Sequence, residues 1–407
     1  ITGSVGKTTT KEAILLVLSK KYRVRGNIKN YNNEIGLPLT ILGSISPGRS
    51  PLGWVKVIIR ALGLLIFRDK NYPEFLVLEM GVDHPRDMDY LLSVAQPIIG
   101  VVTVIGQAHL EFFGTPDSIA EEKSKLVASL PSSGIAILNA DDRRVAAMAS
   151  KCKGKVITYG LGPEAQVRAT EVSFNYRQAN KLSPEALVGI NCELHYQESV
   201  VPLSLPLVMT EAALYSVLAA AAVGLSQGLG LIEIADILKD FQPLRGRFNL
   251  LPGVDGSVVI DDSYNASPTS MIAALEILAN LPVDNLTRRI AVLGDMLELG
   301  LDSPAEHRRV GQVIAGLPIG HLILVGPLAK LIGEEAQSLG WSGELEYFNN
   351  SSEAALKIKE IISAPAAILV KGSQGTRMER LVKELLANPQ EASKYLVRQD
   401  GRWLANF

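Results

Sequence analysis

Seven short runs of continuously apolar residues constrain the fold of this chain more than any other feature of its sequence. They lie at Phe75–Gly81, Ile98–Gly106, Ile135–Asp142, Ser257–Tyr264, Ile290–Met296, Leu322–Gly326 and Ala366–Ser373. Continuous rather than alternating apolarity indicates strands that are covered on both faces, which is typical of mainly parallel sheets flanked by helices. We therefore predict an α/β fold. Ligands are expected at the carboxyl ends of these strands, where the runs end in glycine or polar residues.

The sequence pattern changes between Val156 and Leu207. Short apolar strands with turn residues between them predict an antiparallel extension of the first domain. Two helices follow, the first over "TEAALYSVLAAAAVGL". A stretch rich in Pro, Gly and Arg at Pro243–Gly256 precedes a new strand and predicts a hinge. We expect two domains, 1–244 and 245–407, the first built on a phosphate-binding loop and the second a Rossmann-like α/β domain.

Composition excludes several classes of function. The chain has 407 residues with 40 basic and 42 acidic side chains and no long run of like charge, which argues against nucleic acid as a partner. Its two cysteines, Cys152 and Cys192, lie far apart, which argues against a disulfide framework or a zinc site. A reducing cytoplasm is the expected location.

The most apolar segment is "WVKVIIRALGLLIF", Trp54 to Phe67, which Lys56 and Arg60 interrupt. It is shorter than the roughly 20 residues needed to cross a bilayer, so we predict no stable membrane insertion. Its charges are compatible with an amphipathic helix resting on lipid. The favoured interpretation is a helix packed on the sheet or lining an interface.

The chain opens with "ITGSVGKTTTKE", a pattern typical of a phosphate-binding loop. Gly3 and Gly6 allow backbone N–H groups to point at a phosphate, and the helix expected to start near Lys7 adds its positive end. Lys7 can reach the β- and γ-phosphates, and the Thr8 hydroxyl can join the shell of a Mg²⁺ ion. The strict Walker pattern needs glycine where Ile1 stands. The predicted nucleotide-binding residues are Gly3, Ser4, Val5, Gly6, Lys7, Thr8 and Thr9.

A carboxylate at the end of a predicted strand completes this part of the site. Glu79 closes "LVLEM", and Mg²⁺ prefers hard oxygen ligands of this kind. We predict that Glu79 binds the metal directly or through water. The alternative is a buried glutamate in a structural ion pair.

Together with the opening motif, eight further stretches resemble the ATP-dependent Mur ligases of peptidoglycan synthesis, in the same order and over nearly the whole chain. They are "NNEIGLPLTIL", "LEMGVDHPRDM", "GQAHLEFFG", "ILNADD", "RGRFNLLPG", "IDDSYNASPTSM", "AVLGDMLELG" and "LVKGSQGTRMERL". The stretches "DDSYNASP" and "LGDMLELG" point to the branch that joins D-alanyl-D-alanine to UDP-N-acetylmuramoyl-tripeptide. Those two small molecules are the substrates that the resemblance implies.

The resemblance implies a reaction driven by ATP with Mg²⁺ at two sites. The substrate carboxylate attacks the γ-phosphate, and the amine then displaces phosphate from the acyl phosphate. The protein mainly positions anions and neutralises charge, and no nucleophilic side chain is required. Closure of the two domains would exclude water from the acyl phosphate. We expect a monomer.

Site residues follow from the matching motifs. His109 is similar to the family histidine near the second metal, and Lys123 falls where the family carries a lysine carbamylated by CO₂, with Lys125 as the alternative. From the sequence alone, Lys123 would be interpreted as a solvated lysine on a helix. Asn139 resembles the adenine contact. The remaining implied residues are Arg247, Asp262, Tyr264 and Asn265 at the nucleotide, and Lys371, Ser373 and Arg377 at the dipeptide or the anionic end of the substrate.

The chain departs from the family pattern in two places. Ala212 and Ala213 occupy the position of a His-Asn pair whose asparagine lies near ATP, and Glu211 or Asn139 would have to compensate. Val82 and Asp83 replace an Ala-Asn pair. Two other functions stay open beside this one, and Ala212 and Ala213 favour the second of them. One is a related Mur or folylpolyglutamate-type ligase, and the other is a non-catalytic ATP-binding scaffold.

The start of the chain raises a separate expectation. Mur ligases carry an N-terminal domain that holds the UDP-sugar, whereas this sequence begins inside the central domain. Either the sequence is a fragment or the first domain was lost. We favour a fragment, because a parallel sheet without its strand before the loop would leave backbone groups unpaired.

Overall fold

A computed structural model describes residues 1–27, 31–67, 69–106, 110–176, 187–281, 289–362 and 365–399 of the chain. The chain forms two compact units. Unit 1 comprises Ile1–Ser173, Asn191–Leu205 and Glu211–Phe241, and unit 2 comprises Phe174–Ile190, Pro206–Thr210 and Gln242–Phe407.

Unit 1 is built on a six-stranded sheet with the order β3-β4-β5-β6-β7-β8 and a two-stranded parallel sheet, β1-β2. The pairs β3-β4, β4-β5 and β5-β6 are parallel. Strands β7 and β8 are joined by the two-residue turn Gln197–Glu198, a connection that only antiparallel neighbours can use. The bounds are β1 Val24–Gly26, β2 Phe75–Val77, β3 Ile99–Val102, β4 Ile135–Asn139, β5 Lys155–Gly160, β6 Val167–Tyr176, β7 Leu187–Tyr196 and β8 Ser199–Leu205.

Residues 1–3 run between the ends of the two sheets. The amide of Met80 donates to the Ile1 carbonyl over 2.8 Å, on the side of β2. On the side of β3, the Thr2 amide donates to Val101 and the Thr103 amide donates to Thr2, over 2.9 and 3.0 Å. The loop that follows therefore starts at the carboxyl ends of β2 and β3.

Nine helices belong to unit 1: α1 Lys7–Ser19, α2 Gly36–Leu42, α3 Pro51–Ile66, α4 Asp87–Val94, α5 Leu110–Phe113, α6 Pro116–Ala128, α7 Arg143–Ala147, α8 Glu211–Ser226 and α9 Leu231–Leu238, counted over the described residues. Local signals define several of their starts. The Thr115 side chain accepts a hydrogen bond from the Ser118 amide ahead of Pro116, and Asp142 caps α7 in the same way. Helix α1 packs along α8, where Val17 lies against Gly224.

Unit 2 contains a second six-stranded sheet with the order β13-β12-β11-β14-β10-β9, in which only the edge strand β9 is antiparallel. Alternate residues of each central strand enter two apolar cores: Val258 and Ile260 lie in one, and Val259 lies in the other. The strands are β9 Asn249–Pro252, β10 Val258–Asp262, β11 Arg289–Gly294, β12 His321–Val325, β13 Glu344–Phe348 and β14 Ala367–Lys371. The helices are α10 Pro268–Ala279, α11 Ser303–Ala315, α12 Lys330–Ser338, α13 Ser351–Ile361, α14 Glu379–Leu385 and α15 Ala392–Tyr395.

The α/β fold with mainly parallel sheets is confirmed, and each of the seven predicted strands is present. The predicted antiparallel extension starts later than expected, because β5 pairs in parallel with both β4 and β6. Strand β13 was not predicted. It lies at an exposed sheet edge, and in its sequence, "ELEYF", polar and apolar residues alternate, so it lacks the continuous apolar run of the predicted strands.

The apolar segment Trp54–Phe67 is helical, as expected, and forms most of α3. The expectation that it packs on the sheet is wrong, because no residue of α3 is buried. In the described part of the chain, no helix combines the length and apolarity required to cross a bilayer.

Candidate active site

The predicted phosphate loop is a tight turn at the ends of β2 and β3. Gly3 and Gly6 have φ angles of 147° and 86°, a region that glycine enters at little cost. A Cβ atom at Gly3 would lie 1.9 Å from the Thr103 hydroxyl oxygen, so no side chain fits there. Helix α1 begins at Lys7, which places the positive end of its dipole at the loop.

Lys7 folds back over this loop. Its Nζ donates to the carbonyl oxygens of Gly3, over 2.8 Å, and of Ser4, over 3.4 Å. Thr8 is half-buried in the first turn of α1, and Thr9 beside it is buried. The loop thus gathers amide groups, an ammonium group and a hydroxyl group within one turn of chain, which is the donor set that a polyphosphate requires.

Glu79 lies two residues after β2, next to the loop, and only 3% of its surface is exposed. The Asn27 side chain accepts a hydrogen bond from the Glu79 amide over 2.6 Å, and Asn32 donates to the Glu79 carboxylate over 3.2 Å. Among the described residues no cation forms an ion pair with Glu79, so the predicted alternative of a structural ion pair has no support there. Its carboxylate thus accepts a hydrogen bond from the neutral amide of Asn32, while Asn27 holds its backbone.

Lys123 lies on α6 and is almost fully buried, with 1% of its surface exposed. Desolvation, reinforced by the nearby charge of Lys7, lowers the pKa of the Lys123 ammonium to about 7, against the opposing charges of Asp83, Glu122 and Asp87. The structure therefore brings Lys7 and Lys123 together. The interpretation of Lys123 as a solvated lysine, which its sequence alone favours, is wrong.

Lys125, the alternative to Lys123, is in a different environment. It is partly exposed and pairs with Asp89 over 2.6 Å and with Glu122 over 2.8 Å. Although desolvation opposes them, these two hydrogen bonds raise the pKa of the Lys125 ammonium. A lysine that is held in its charged form is a poor nucleophile for CO₂, so the geometry favours Lys123.

Two acidic residues position the loop ahead of α4. The Asp87 carboxylate accepts hydrogen bonds from the amides of Asp83 and His84, over 2.9 and 2.7 Å. Glu122 accepts hydrogen bonds from the amides of Arg86 and Met88, over 2.9 and 3.1 Å. Sequence reasoning missed this role. The available signal was the position of the two carboxylates, since Asp87 lies within the motif "LEMGVDHPRDM" and Glu122 directly precedes Lys123.

Asn139 is buried at the end of β4, where its side-chain oxygen accepts a hydrogen bond from the Asp141 amide over 3.0 Å. Asp141 in turn accepts a hydrogen bond from the Tyr215 hydroxyl of α8 over 2.8 Å. Ala212 and Ala213 lie in the first turn of α8, and the next turn carries Ser216. A methyl group at Gly6 would lie 3.6 Å from the Ser216 hydroxyl oxygen, so the replaced His-Asn pair falls near the phosphate loop.

His109 lies outside the described residues. In the part of the chain that the structure describes, no three His, Cys, Asp or Glu side chains are grouped as metal ligands. Oxygen donors near the loop include the Thr8 hydroxyl and the Glu79 carboxylate, a chemistry that suits Mg²⁺.

Unit 2 places a second pair of predicted residues at neighbouring strand ends. Lys371, at the end of β14, pairs with Asp262, at the end of β10, over 2.6 Å. Desolvation raises the pKa of the Asp262 carboxyl, against the opposing charge of Lys371. Arg247 lies over the Tyr264 ring, 4.3 Å from its centroid, and the Tyr264 amide donates to Gly246. Four of the predicted residues therefore lie together at one edge of this sheet.

The remaining predicted residues of unit 2 make internal contacts. Ser373 accepts a hydrogen bond from the Leu297 amide over 2.8 Å, and the side-chain oxygen of Asn265 accepts one from the Gln374 amide over 3.4 Å. Arg377 pairs with the buried Glu379 over 2.5 Å. These contacts connect "KGSQGTRME" to the "DDSYNASP" and "LGDMLELG" motifs.

Asp295 and His307 explain the conformation of "LGDMLELG". Asp295 accepts hydrogen bonds from the amides of Leu328 and Ala329, over 3.0 and 2.7 Å. The Met296 amide donates to His307 Nε2 over 3.0 Å, and desolvation lowers the pKa of this histidine, which keeps the ring neutral as an acceptor. These two residues were not among the predicted site residues.

Known proteins resemble the chain along most of its length. The family described as "Mur ligase middle domain" matches residues 1–45 and 61–224, and "Mur ligase, glutamate ligase domain" matches residues 246–374. Two curated proteins, both named UDP-N-acetylmuramoyl-tripeptide–D-alanyl-D-alanine ligase, are similar. The Bacillus subtilis protein is 30% identical, over 96% of this chain and 76% of its own length. The Synechocystis protein is 32% identical, over 96% of this chain and 74% of its own length.

A crystal structure of MurF from Acinetobacter baumannii has the same fold. It superposes with a TM-score of 0.76 at 30% sequence identity and covers 95% of this chain and 75% of that one. The order of the motifs, the two α/β units and the family matches agree. The chain therefore belongs to the Mur ligase family.

Proposed function

We propose that this protein is an ATP-dependent ligase that joins D-alanyl-D-alanine to UDP-N-acetylmuramoyl-tripeptide in peptidoglycan synthesis. The names of its relatives support the substrates. One observation carries the chemistry: a phosphate loop, a buried carboxylate and a buried lysine with a lowered pKa share one edge of unit 1. We place the reaction in the cytoplasm, where both substrates are small soluble molecules.

In the proposed reaction, the backbone amides of residues 3–9 and the Lys7 ammonium hold the phosphates of ATP, and Asn139 contacts the adenine. The tripeptide carboxylate attacks the γ-phosphorus, which forms an acyl phosphate and releases ADP. The amine of D-alanyl-D-alanine then attacks the acyl carbon, and phosphate leaves. The amide and ammonium groups act on the charge that develops on the transferred phosphoryl group.

Thr8, Glu79, His109 and Lys123 are the proposed metal ligands, at two Mg²⁺ sites. Mg²⁺ would supply positive charge to the phosphate oxygens. The Lys123 amine fits this role after reaction with CO₂. With its pKa lowered to about 7, a large fraction of the amine is neutral at neutral pH. Its lone pair forms an N–C bond to CO₂, one proton leaves to solvent, and the resulting carbamate is an anion.

For unit 2, we propose that residues 245–407 form the domain that receives the dipeptide, with residues 1–244 as the ATP-binding domain. Arg247, Asp262, Tyr264 and Asn265 would act at the nucleotide, and Lys371, Ser373 and Arg377 at the dipeptide or the substrate's anionic end. Lys371 and Asp262 already neutralise one another, so they would position the loop around Asn265 more than they would attract an anion.

The first experiment measures phosphate release by the full-length protein with ATP and both substrates. We expect release to require both, and Lys7→Ala to lower its rate by about 10²–10³-fold, since one preorganised charge on the transferred group is lost. Lys20→Ala, at the exposed far end of α1, is the matched control. ATP binding without turnover that depends on the two substrates would instead favour the non-catalytic scaffold.

The second experiment tests Lys123. Lys123→Arg keeps a positive charge but cannot form a carbamate, so we expect at least about a 10²-fold loss of activity. As pH falls through about 7, protonation removes the lone pair of the Lys123 amine, and activity should fall with it. A ¹³C-carbamate NMR signal from labelled bicarbonate should be absent in Lys123→Arg and present in Lys125→Arg. The opposite pattern would transfer the role to Lys125.

A further inference from the structure

Helix α3 presents an apolar surface that the fold of unit 1 leaves uncovered. None of its 16 residues is buried. Leu65 and Leu52 are 83% and 77% exposed, and the following Phe67 is 72% exposed. We call this surface the apolar face of α3; it consists of Leu52, Val55, Ile58, Ile59, Leu62, Leu65 and Ile66, each about half exposed or more. Monomeric proteins rarely expose so many contiguous apolar side chains without a function for them.

The geometry of the helix separates this face from the side that is attached to the protein. Successive residues of an α-helix are rotated by about 100°, which places the apolar face on an arc of about 140°. The half-buried Val57 and Leu64 lie outside that arc. The N-terminal end is held by Ser50, which caps the Gly53 amide, and by Trp54, whose indole N–H donates to the Gly48 carbonyl over 3.1 Å. The helix is thus attached along one side and open along another.

Positive charge borders the apolar face. Lys56 and Arg60, one helical turn apart, are exposed on its flank, and Arg60 also donates to the Leu42 carbonyl. Between positions 49 and 70 the sequence has five basic residues and one acidic residue, although the whole chain has a net charge of −2. Trp54 lies in the first turn of α3, between Leu52 and Val55, and Phe67 follows the last turn. Cations beside an apolar arc with aromatic residues at its ends are typical of helices that lie in the plane of a membrane surface.

We propose that α3 docks this protein on a surface of anionic phospholipid. The apolar face enters the boundary between headgroups and acyl chains, and Arg49, Lys56 and Arg60 contact the lipid phosphates. A helix of 16 residues is about 24 Å long, so it lies along the surface and does not span it. A second copy fits less well, because a two-fold contact through α3 would bring the same cations together. Residues 46–60, which carry Leu52, Val55, Ile58 and Ile59 of this face, fall outside the matched family stretches, whereas its C-terminal part lies within them.

The experiment measures partition of the full-length protein onto vesicles of phosphatidylcholine and phosphatidylglycerol in equal parts. We expect binding with a blue shift of the Trp54 emission, which Trp54→Phe removes. Leu65→Glu should weaken partition at least about tenfold, since it removes one apolar anchor and adds a negative charge. The matched control is Leu356→Glu on α13, which replaces a leucine that is also 83% exposed. It should bind as the unchanged protein does.

Removal of positive charge tests the docking on anionic lipid independently of the apolar face. The double variant Arg49→Gln/Lys56→Gln should weaken partition by about fivefold for each cation removed, and added salt should weaken the binding of the unchanged protein. Phosphatidylcholine vesicles should bind more weakly than the mixture. Ligation without vesicles should be equal in all these variants, which checks their folding. Three results would overturn the proposal: no partition onto anionic vesicles, equal loss in Leu65→Glu and Leu356→Glu, or a dimer that Leu65→Glu dissociates in place of lipid binding.

Discussion

Two helices of unit 1 have the same length and a similar apolar character but opposite environments. Helices α3 and α8 each contain 16 residues, and most side chains of both are apolar. Ten residues of α8 are buried, whereas none of α3 is. Apolarity alone therefore does not indicate which of the two helices belongs to the core.

The side chains explain part of this difference. Residues 219–222 of α8 are alanines, and Gly224 follows, so α1 approaches closely enough for Val17 to lie against Gly224. Helix α3 has larger side chains and carries Lys56 and Arg60. Small residues allow close packing of helices, and two charges on a helix prevent it from being enclosed on all sides.

Truncation of one leucine in each helix should give the largest difference between α8 and α3 in the free energy of unfolding. Leu218 of α8 is fully buried, so Leu218→Ala should lower the free energy of unfolding by about 2–5 kcal/mol. Leu62→Ala on α3, where the side chain is 52% exposed, should change it by less than about 0.5 kcal/mol. Urea unfolding of the two variants without lipid measures both values. Equal losses would mean that α3 is packed in solution, and the contrast would fail.

A glycine-to-alanine pair sharpens the comparison. A Cβ atom at Gly224 would lie 2.7 Å from Val17 Cγ1, and we expect Gly224→Ala to destabilise the protein by roughly 1–2 kcal/mol. A Cβ atom at Gly63 of α3 has no neighbour within 4 Å among the described residues. Gly63→Ala should therefore stabilise the protein by about 0.5–1 kcal/mol, the gain in helix propensity. Thermal unfolding should shift in opposite directions, and shifts of the same sign would contradict the packing described here.

Removal of one polar contact in each helix should give the smallest difference between α8 and α3 in the free energy of unfolding. Tyr215→Phe removes the hydrogen bond to Asp141, and Trp54→Phe removes the one to Gly48. We expect the free energy of unfolding to fall by about 1 kcal/mol in Tyr215→Phe and by less than about 0.5 kcal/mol in Trp54→Phe, since the acceptor of the Tyr215 hydroxyl is a carboxylate.

The loss of stability in Tyr215→Phe should depend on pH. Burial and the bond to Asp141 raise the pKa of Tyr215 above its ordinary value of 10.0. The folded protein therefore retains the proton that the unfolded chain loses, so the contribution of Tyr215 is complete below about pH 10 and falls above it. Urea unfolding from pH 8 to 11 should show the gap between the unchanged protein and Tyr215→Phe closing at the alkaline end. A constant gap would show that this contact does not contribute as described.

Local patterns were enough to predict the phosphate loop and the carboxylate beside it, whereas the other candidate site residues came from the family resemblance. Glycines at positions 3 and 6, followed by Lys7, specify a loop ahead of a helix because few other residues tolerate those backbone angles. Glu79 was placed at a strand end by the same kind of reasoning. The environment of Lys123 was not predictable in this way, since Lys125, two residues on, has similar sequence neighbours but lies near the surface, paired with Asp89 and Glu122.

Strand positions, helix starts and the order of the motifs thus follow from the chain itself, because apolar runs, caps and glycines act over a few neighbouring residues. Burial does not follow in this way. Whether α8 is enclosed and α3 exposed, or whether Lys123 has a pKa of about 7, depends on which distant residues the fold brings alongside. Solvent exclusion and charge–charge energies arise between such residues, so they exist only once the chain has folded.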